Sequence, residues 1–582
     1  MTLLIERQFP RTLDALVQRF HGRSDLSIEA WLFEDEAARR AGEDRLAASG
    51  VTARLRSAYK PLVHAFLEEI DLAGATNVEI AYPVHEAADE RRFLIEAYPL
   101  AGLIGRPVGF GSCKLRPLTY AVTIHFEDRP PETIEVEAPN RVHPGPTGAT
   151  VLSPTGWLRV LRNGAVVEDA RLETDFEALF EAGMAAFDRL ERAGDGPIFE
   201  ELRIEAHLPF GDRTLGFGDE AISLTEALHE DFYFSGLDVL QSRAGRPAGD
   251  RSFQPGRIVP AIATREGAPG LRMELRPHAE PPAVPRRPRW TPLEAEAPLN
   301  RAEIERALRL VDGEAFSGRS VCGRPVEGRY RAGPDAPVLV TGGQHANEPT
   351  GIAGALLAGA DLAARASAHF ALIPLENPDG HALCGELMED QPRHMRHAAR
   401  YTALGDDLEF RISAPLFERE AREAIVDRMR PGLHVNCHGY PAHEWTRPLT
   451  GYLPQGFERW TVPRGFFLIL RHHPGHGEAA RRLARFVAER LATIPELAAL
   501  NARQIALHRI HAGDPGLEVH AGIPVTVVED TRHRVPVTLV TEFPDETILG
   551  EAFRLGARVQ AAAVIAAYEG WQTIVAEGSA EV

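Results

Sequence analysis

The chain has 582 residues, 44% hydrophobic and 25% charged, with a net charge of −19. That is the composition of a folded globular protein too long for one ordinary core, so two to four domains are expected. The spread acidic excess argues against a general nucleic-acid binder, and no apolar run approaches the length of a membrane span.

The first ten residues, Met1 to Pro10, lack a basic stretch followed by a sustained apolar core, so no secretory leader is read there and a cytoplasmic location is expected. Apolar spacing predicts helices over Thr12 to Phe20, Glu34 to Ala48 and Asp175 to Arg192. Strands are predicted over Asn77 to Val84, Phe93 to Leu100, Tyr120 to Phe126, Thr133 to Glu137 and Phe199 to Leu208. The pair around Asp128-Arg-Pro-Pro131 is spaced as a hairpin. Residues 1–276 therefore read as an α+β region, with no repeat and no metal-spaced cluster. Four cysteines, Cys113, Cys322, Cys384 and Cys437, lie too far apart to suggest a disulfide scaffold. Basic charge is almost all arginine, Lys60 and Lys114 being the two lysines.

The density of proline in Arg276-Pro-His-Ala-Glu-Pro-Pro-Ala-Val-Pro-Arg-Arg-Pro-Arg-Trp-Thr-Pro292 prevents helix and ladder pairing. Residues 277–296 are read as a linker and 297–582 as a second unit. There, Arg301 to Val311 is predicted helical, with Asn300 as its cap. Short apolar runs at Val338 to Thr341, Phe370 to Ile373, Leu433 to Asn436, Phe466 to Leu470 and Val537 to Thr541 read as buried strands. Helices are predicted over Thr350 to Ala364, Phe417 to Met429, Glu478 to Leu491 and Leu549 to Tyr568. Such alternation gives an α/β fold, in which sites gather at the carboxyl ends of strands. His345, His438 and Glu542 each fall after a strand-like run.

His345-Ala-Asn-Glu348 sets an imidazole and a carboxylate three residues apart between a strand and a helix. This can supply two of three ligands to a catalytic zinc. With 23 histidines in the chain, roughly two such pairs arise by chance, so the weight rests on the ordered series. That series is Gly318-Arg-Ser-Val-Cys-Gly-Arg-Pro325, His345-Ala-Asn-Glu348, Pro374-Leu-Glu-Asn-Pro-Asp-Gly380, Met395-Arg396, Gly405-Asp-Asp-Leu408, Val435-Asn-Cys-His438-Gly-Tyr440 and Leu539-Val-Thr-Glu542-Phe-Pro544.

The series, from Gly318 onward, resembles the M14-like zinc carboxypeptidase family of metallopeptidases. The resemblance implies a mixed sheet flanked by helices, one zinc ion per chain and a peptide or small amide substrate. It implies His345, Glu348 and His438 as metal ligands and Glu542 as general base. Arg396 is implied as the guanidinium that polarises the scissile carbonyl, with Arg393 and Arg400 close enough in sequence to replace it. Nearby His434, His443, His472, His473 and His476 read as supporting or surface groups. Nucleic acid and membrane are not expected partners, and the sequence sets no oligomeric state.

Two departures stand out. Where the family carries Asp-x-Asn-Arg to grip a substrate carboxylate, this chain has Asp407-Leu-Glu-Phe410. Arg411 and Arg447, with Asp407, are the candidate substrate-binding residues that could restore the grip. No tyrosine lies between Tyr452 and Tyr568, where many members place a mobile one before the catalytic glutamate. The motif at His345, together with Arg400-Tyr401 and Asp407-Leu408, also resembles zinc N-acyl amino acid deacylases of the succinylglutamate desuccinylase and aspartoacylase type. A deacylase, or a non-catalytic binding module that keeps the fold, are the alternative readings.

Overall fold

The computed structural model describes residues 1–114, 118–190, 196–278, 289–454 and 457–580. The C-terminal half is a nine-stranded mixed sheet with helices on its faces. Its strands lie in the order Glu314–Arg319, Pro325–Arg331, Phe370–Ile373, Val338–Gly342, Leu433–Tyr440, Val537–Pro544, Phe467–His472, Ile523–Glu529 and Glu518–His520. The four from Phe370–Ile373 to Val537–Pro544 are parallel. Phe467–His472 then turns antiparallel against Val537–Pro544.

Val338–Gly342 and Phe370–Ile373 are buried at every position. Strands covered on both faces need apolar residues throughout, which is why they show as runs in the sequence and not as alternations. Pro349–Ala364, Gly477–Leu491 and Glu551–Ala580 cover one face with Leu356, Val487, Val559 and Val564. Arg301–Leu310 starts on a capping box formed by Asn300 and Glu303, which satisfies two otherwise orphaned N–H groups.

Residues 1–276 build three four-stranded sheets and long helices. Helices Thr12–Phe20 and Glu36–Ala48 form, and Thr119–Phe126 pairs with Glu132–Glu137 antiparallel, as the sequence predicts. The predicted strand Phe93 to Leu100 is instead two short helices, Arg92–Glu96 and Leu100–Leu103, parted at Tyr98-Pro99. Residues 93 to 100 are all buried, and a short run apolar on every side has no period to separate helix from strand. The helix from Asp175 ends at Ala186, and the Arg192 once expected to close it lies outside the described residues. So do residues 279–288 of the proline-rich stretch. Beyond them Ala295 is buried in the C-terminal core and Trp290 packs against it.

The two halves share a core. Tyr59, Leu224 and Phe232 belong to one apolar cluster with Leu383, Ala399, Leu449, Tyr452 and Leu507. Its spine is Leu224–Arg243, a helix buried on nearly every side, including Glu226, His229, Glu230 and Asp231. Among the described residues no helix is long and apolar enough to cross a membrane.

Candidate metal centre

Three elements meet at the site. Val338–Gly342 ends just before His345, and Glu348 is the residue before the helix Pro349–Ala364. Asp545 holds that helix start in place, accepting from Thr350 N at 2.9 Å and from its hydroxyl. A carboxylate there complements the helix dipole and satisfies exposed N–H groups. His438 lies inside Leu433–Tyr440, and Glu542 inside Val537–Pro544, where the two are register partners in the parallel pair. Residues at one level of neighbouring strands project from the same face, so the ladder itself brings Glu542 beside His438. Gly439, between His438 and Tyr440, is required by space. A Cβ there would stand 2.0 Å from Asp545 Oδ1.

The side chains of His345, Glu348 and His438 converge, with one donor atom of each within 4.8 Å of the others. His345 Nδ1 is 2.9 Å from Glu348 Oε1, and His438 Nδ1 is 2.8 Å from Glu348 Oε2. The two Nδ1 atoms face each other at 3.1 Å. All three residues are buried. Two imidazoles and one carboxylate fit a divalent cation with borderline-soft preferences, such as zinc. Two ring nitrogens and a carboxylate aimed at one point are an arrangement in which a cation can take the place of the ring protons.

Supporting groups fix this geometry. His345 Nε2 lies 3.3 Å from Asp407 Oδ2, so the carboxylate behind the ring can hold the tautomer that leaves Nδ1 free. Asp407 is in turn contacted by Gln344 at 3.2 Å and by Arg251 of the N-terminal half at 3.6 Å. Arg400 Nη1 donates to Glu348 Oε1 at 2.5 Å, and Gly439 N donates to Oε2 at 3.1 Å. Burial works against the Glu348 charge, but His345, Arg400 and His438 outweigh it and hold its carboxyl well below the usual range. Glu542 is pushed well above that range, by burial first and then by Glu348. A dication held by Glu348 would offset the second effect and favour ionisation of Glu542.

The remaining candidates fall elsewhere. Arg396 donates to backbone carbonyls, with Nη2 to Pro392 O at 2.6 Å and Gln391 O at 3.1 Å and with Nη1 to Glu546 O at 3.4 Å, so both of its terminal nitrogens are engaged away from the ligands. Arg400, named only as a substitute, is the guanidinium at the ligands. Arg411 is consumed by Asp406 and Glu418, each at 2.6 Å. Arg447 is held by Ser235 at 3.0 Å and Asp238 at 3.1 Å. Neither can restore the carboxylate grip without giving up these partners. Glu409, in the altered clamp position, is bound by Arg422 and by His533. His434 supports Thr341 at 2.8 Å. His443 faces Glu226 of the N-terminal half at 2.8 Å.

No family model matches the chain, and no curated protein matches it in sequence. Solved structures do match in part. A carboxypeptidase A from Helicoverpa armigera is 10% identical with a TM-score of 0.32, over 53% of this chain and 90% of that one. A metallo-carboxypeptidase from Burkholderia cenocepacia is 14% identical with a TM-score of 0.29, over 52% and 76%. A metallo-carboxypeptidase from Pseudomonas aeruginosa, in complex with (2-guanidinoethylmercapto)succinic acid, is 17% identical with a TM-score of 0.27, over 52% and 72%. Scores of this size leave the reading of the site to its own residues.

Proposed function

We propose that the protein is a zinc-dependent amide hydrolase of carboxypeptidase type, with residues 297–582 carrying the catalytic groups and 1–276 as an N-terminal region packed into a shared core. The observation that carries the reading is the convergence of His345, Glu348 and His438 on one point, with Glu542 their neighbour in the strand register. Glu348 and the two Nδ1 atoms would hold the metal. A zinc ion bound there supplies Lewis acidity, polarising a carbonyl and making water acidic near neutral pH.

Glu542 takes the proton of the attacking water as the oxygen bonds to the carbonyl carbon. It then returns that proton to the leaving nitrogen as the carbon–nitrogen bond breaks. One carboxyl near neutrality can serve both steps. Arg400 holds Glu348 in its ligating position and takes the polarising role that the sequence assigns to Arg396. Asp407 acts behind His345, as a group that orients a ligand and not as one that meets substrate.

The test is metal analysis with a screen of peptides and N-acyl amino acids. The expected result is one zinc per chain and amide hydrolysis that falls about 10³-fold or more in Glu542→Gln, with zinc retained. Zinc binding without hydrolysis of any amide would leave only a binding module. Cleavage of N-acyl amino acids in preference to blocked dipeptides would move the reading to a deacylase.

A further inference from the structure

Arg464 is a buried arginine near Glu542 with donors left over and no carboxylate paired to it among the described residues. It is 2% exposed, and its Nε and Nη2 have no hydrogen-bond partner among the described residues. Those two atoms form one edge of the guanidinium, the edge whose parallel N–H groups match the two oxygens of a carboxylate. A buried cation with an open fork is costly unless something arrives to fill it.

Its position is built, not incidental. Phe467 is the register partner of Glu542 in the antiparallel pair, so Phe467, Glu542 and His438 project from one face of three adjacent strands. The Arg464 guanidinium lies over Phe467 at 5.0 Å and over Trp460 at 3.2 Å from the ring centres. Two aromatic faces fix its plane and leave its edge as the free surface. Its backbone is pinned as well. Arg464 N donates to the Tyr440 hydroxyl at 3.0 Å, and that hydroxyl donates to Gly465 O at 2.7 Å. Gly465 has a φ of +83°, and a Cβ there would meet Asn501 Oδ1 at 2.5 Å, so glycine is required. Asn501 itself bonds Phe466 N at 2.8 Å and Phe466 O at 3.1 Å.

We propose that Arg464 binds a carboxylate of the substrate through its Nε–Nη2 edge, on the Phe467 side of Glu542, and so makes the substrate an anionic amide. This rests on the hydrolase reading above. Glu409-Phe410, Arg411 and Arg447 do not supply the grip, because Glu409 is an acid already paired and both arginines are taken. The anion subsite has moved to the turn that leads into Phe467–His472. The carboxylate has two possible sources, the leaving amino acid or the acyl portion.

Three substrates separate these: a blocked dipeptide with a free carboxy terminus, its C-terminal amide, and an amide whose only carboxylate is on the acyl side. The wild type is expected to prefer one carboxylate-bearing substrate over the neutral amide by about a hundredfold in kcat/KM. In Arg464→Lys, which keeps the charge and loses the fork, that ratio falls toward one, with the change in KM for the acid. Trp460 is partly exposed, so Trp460→Ala folds readily and shifts the ratio several-fold in the same direction. Calorimetric binding of the same compounds to Glu542→Gln, with and without Arg464→Lys, needs no turnover. Binding that distinguishes acid from amide through Arg464, without hydrolysis in the wild type, overturns the hydrolase reading and keeps the subsite. Hydrolysis with no acid preference, or a preference unmoved in Arg464→Lys and Trp460→Ala, overturns the subsite. A loss equal for all three substrates does so too.

Discussion

Two buried clusters of histidine and carboxylate meet on one stretch of chain, at His438 and at His443, and they differ in how they settle their charge. At His345, Glu348 and His438, two rings share one carboxylate and turn the same nitrogen on each other. At His443 and Glu444, each group has a partner of its own from the N-terminal half. His443 lies 2.8 Å from Glu226 and 3.9 Å from Asp219, and Glu444 is bonded to Lys60. The second cluster is complete as it stands and joins the halves. In the first, both rings depend on the one Glu348 carboxylate, and the three groups converge on a point that a cation fits. Burial is alike in both; convergence of the ligand atoms on one point separates the candidate site from the seam.

The comparison breaks if a ligand and a seam residue prove interchangeable. His438→Ala is expected to lower zinc affinity by more than the roughly hundredfold that a group behind a ligand is worth and to abolish hydrolysis, while the melting midpoint of the zinc-free protein changes little. Metal titration and calorimetry read both. Lys60→Met should do the reverse. It leaves Glu444 buried without its cation, at a cost of about 3–5 kcal/mol in stability, seen as a lowered denaturant midpoint, with zinc stoichiometry kept. Asp407→Asn sharpens the boundary between the clusters, since Asp407 touches both His345 and Arg251. Zinc affinity is expected to drop about 10- to 100-fold, with a smaller change in stability. The smallest effect is in pH. Burial opposes the charge on His443, but Glu226 and Asp219 outweigh it and raise its pKa well above the usual value. The protonated ring therefore contributes its full stability below about pH 6.5, and that contribution fades as pH climbs through the raised value. Unfolding midpoints measured from acid to alkaline pH should fall across that window and fall less in His443→Gln.

What was legible in the sequence follows the same physics. The parallel strands announced themselves because they are buried on both faces, and Asn300 with Glu303 announced a helix start. Leu224–Arg243 did not, because a helix buried nearly all round has polar residues wherever a partner waits and shows no stripe. The convergence of His345, Glu348 and His438 was open to reading because strand ends and a helix start carry them. The arginines were not. Choosing Arg400 over Arg396, or seeing that Arg411 and Arg447 are spent, requires knowing which acid each guanidinium meets, and those acids lie up to hundreds of residues away. Arg464 carried no signal but its place just before a strand.

The register that sets Glu542 beside His438 also constrains how this chain can change. A substitution at either position alters one group and leaves the scaffold as it was. A single inserted or deleted residue between Val537 and Glu542 rotates the following side chains to the opposite face of the sheet, turning Glu542 toward the helices and Phe543 into the cleft. Lineages and libraries derived from this chain should therefore vary in length in loops that carry no site residue and hold the length of that strand constant.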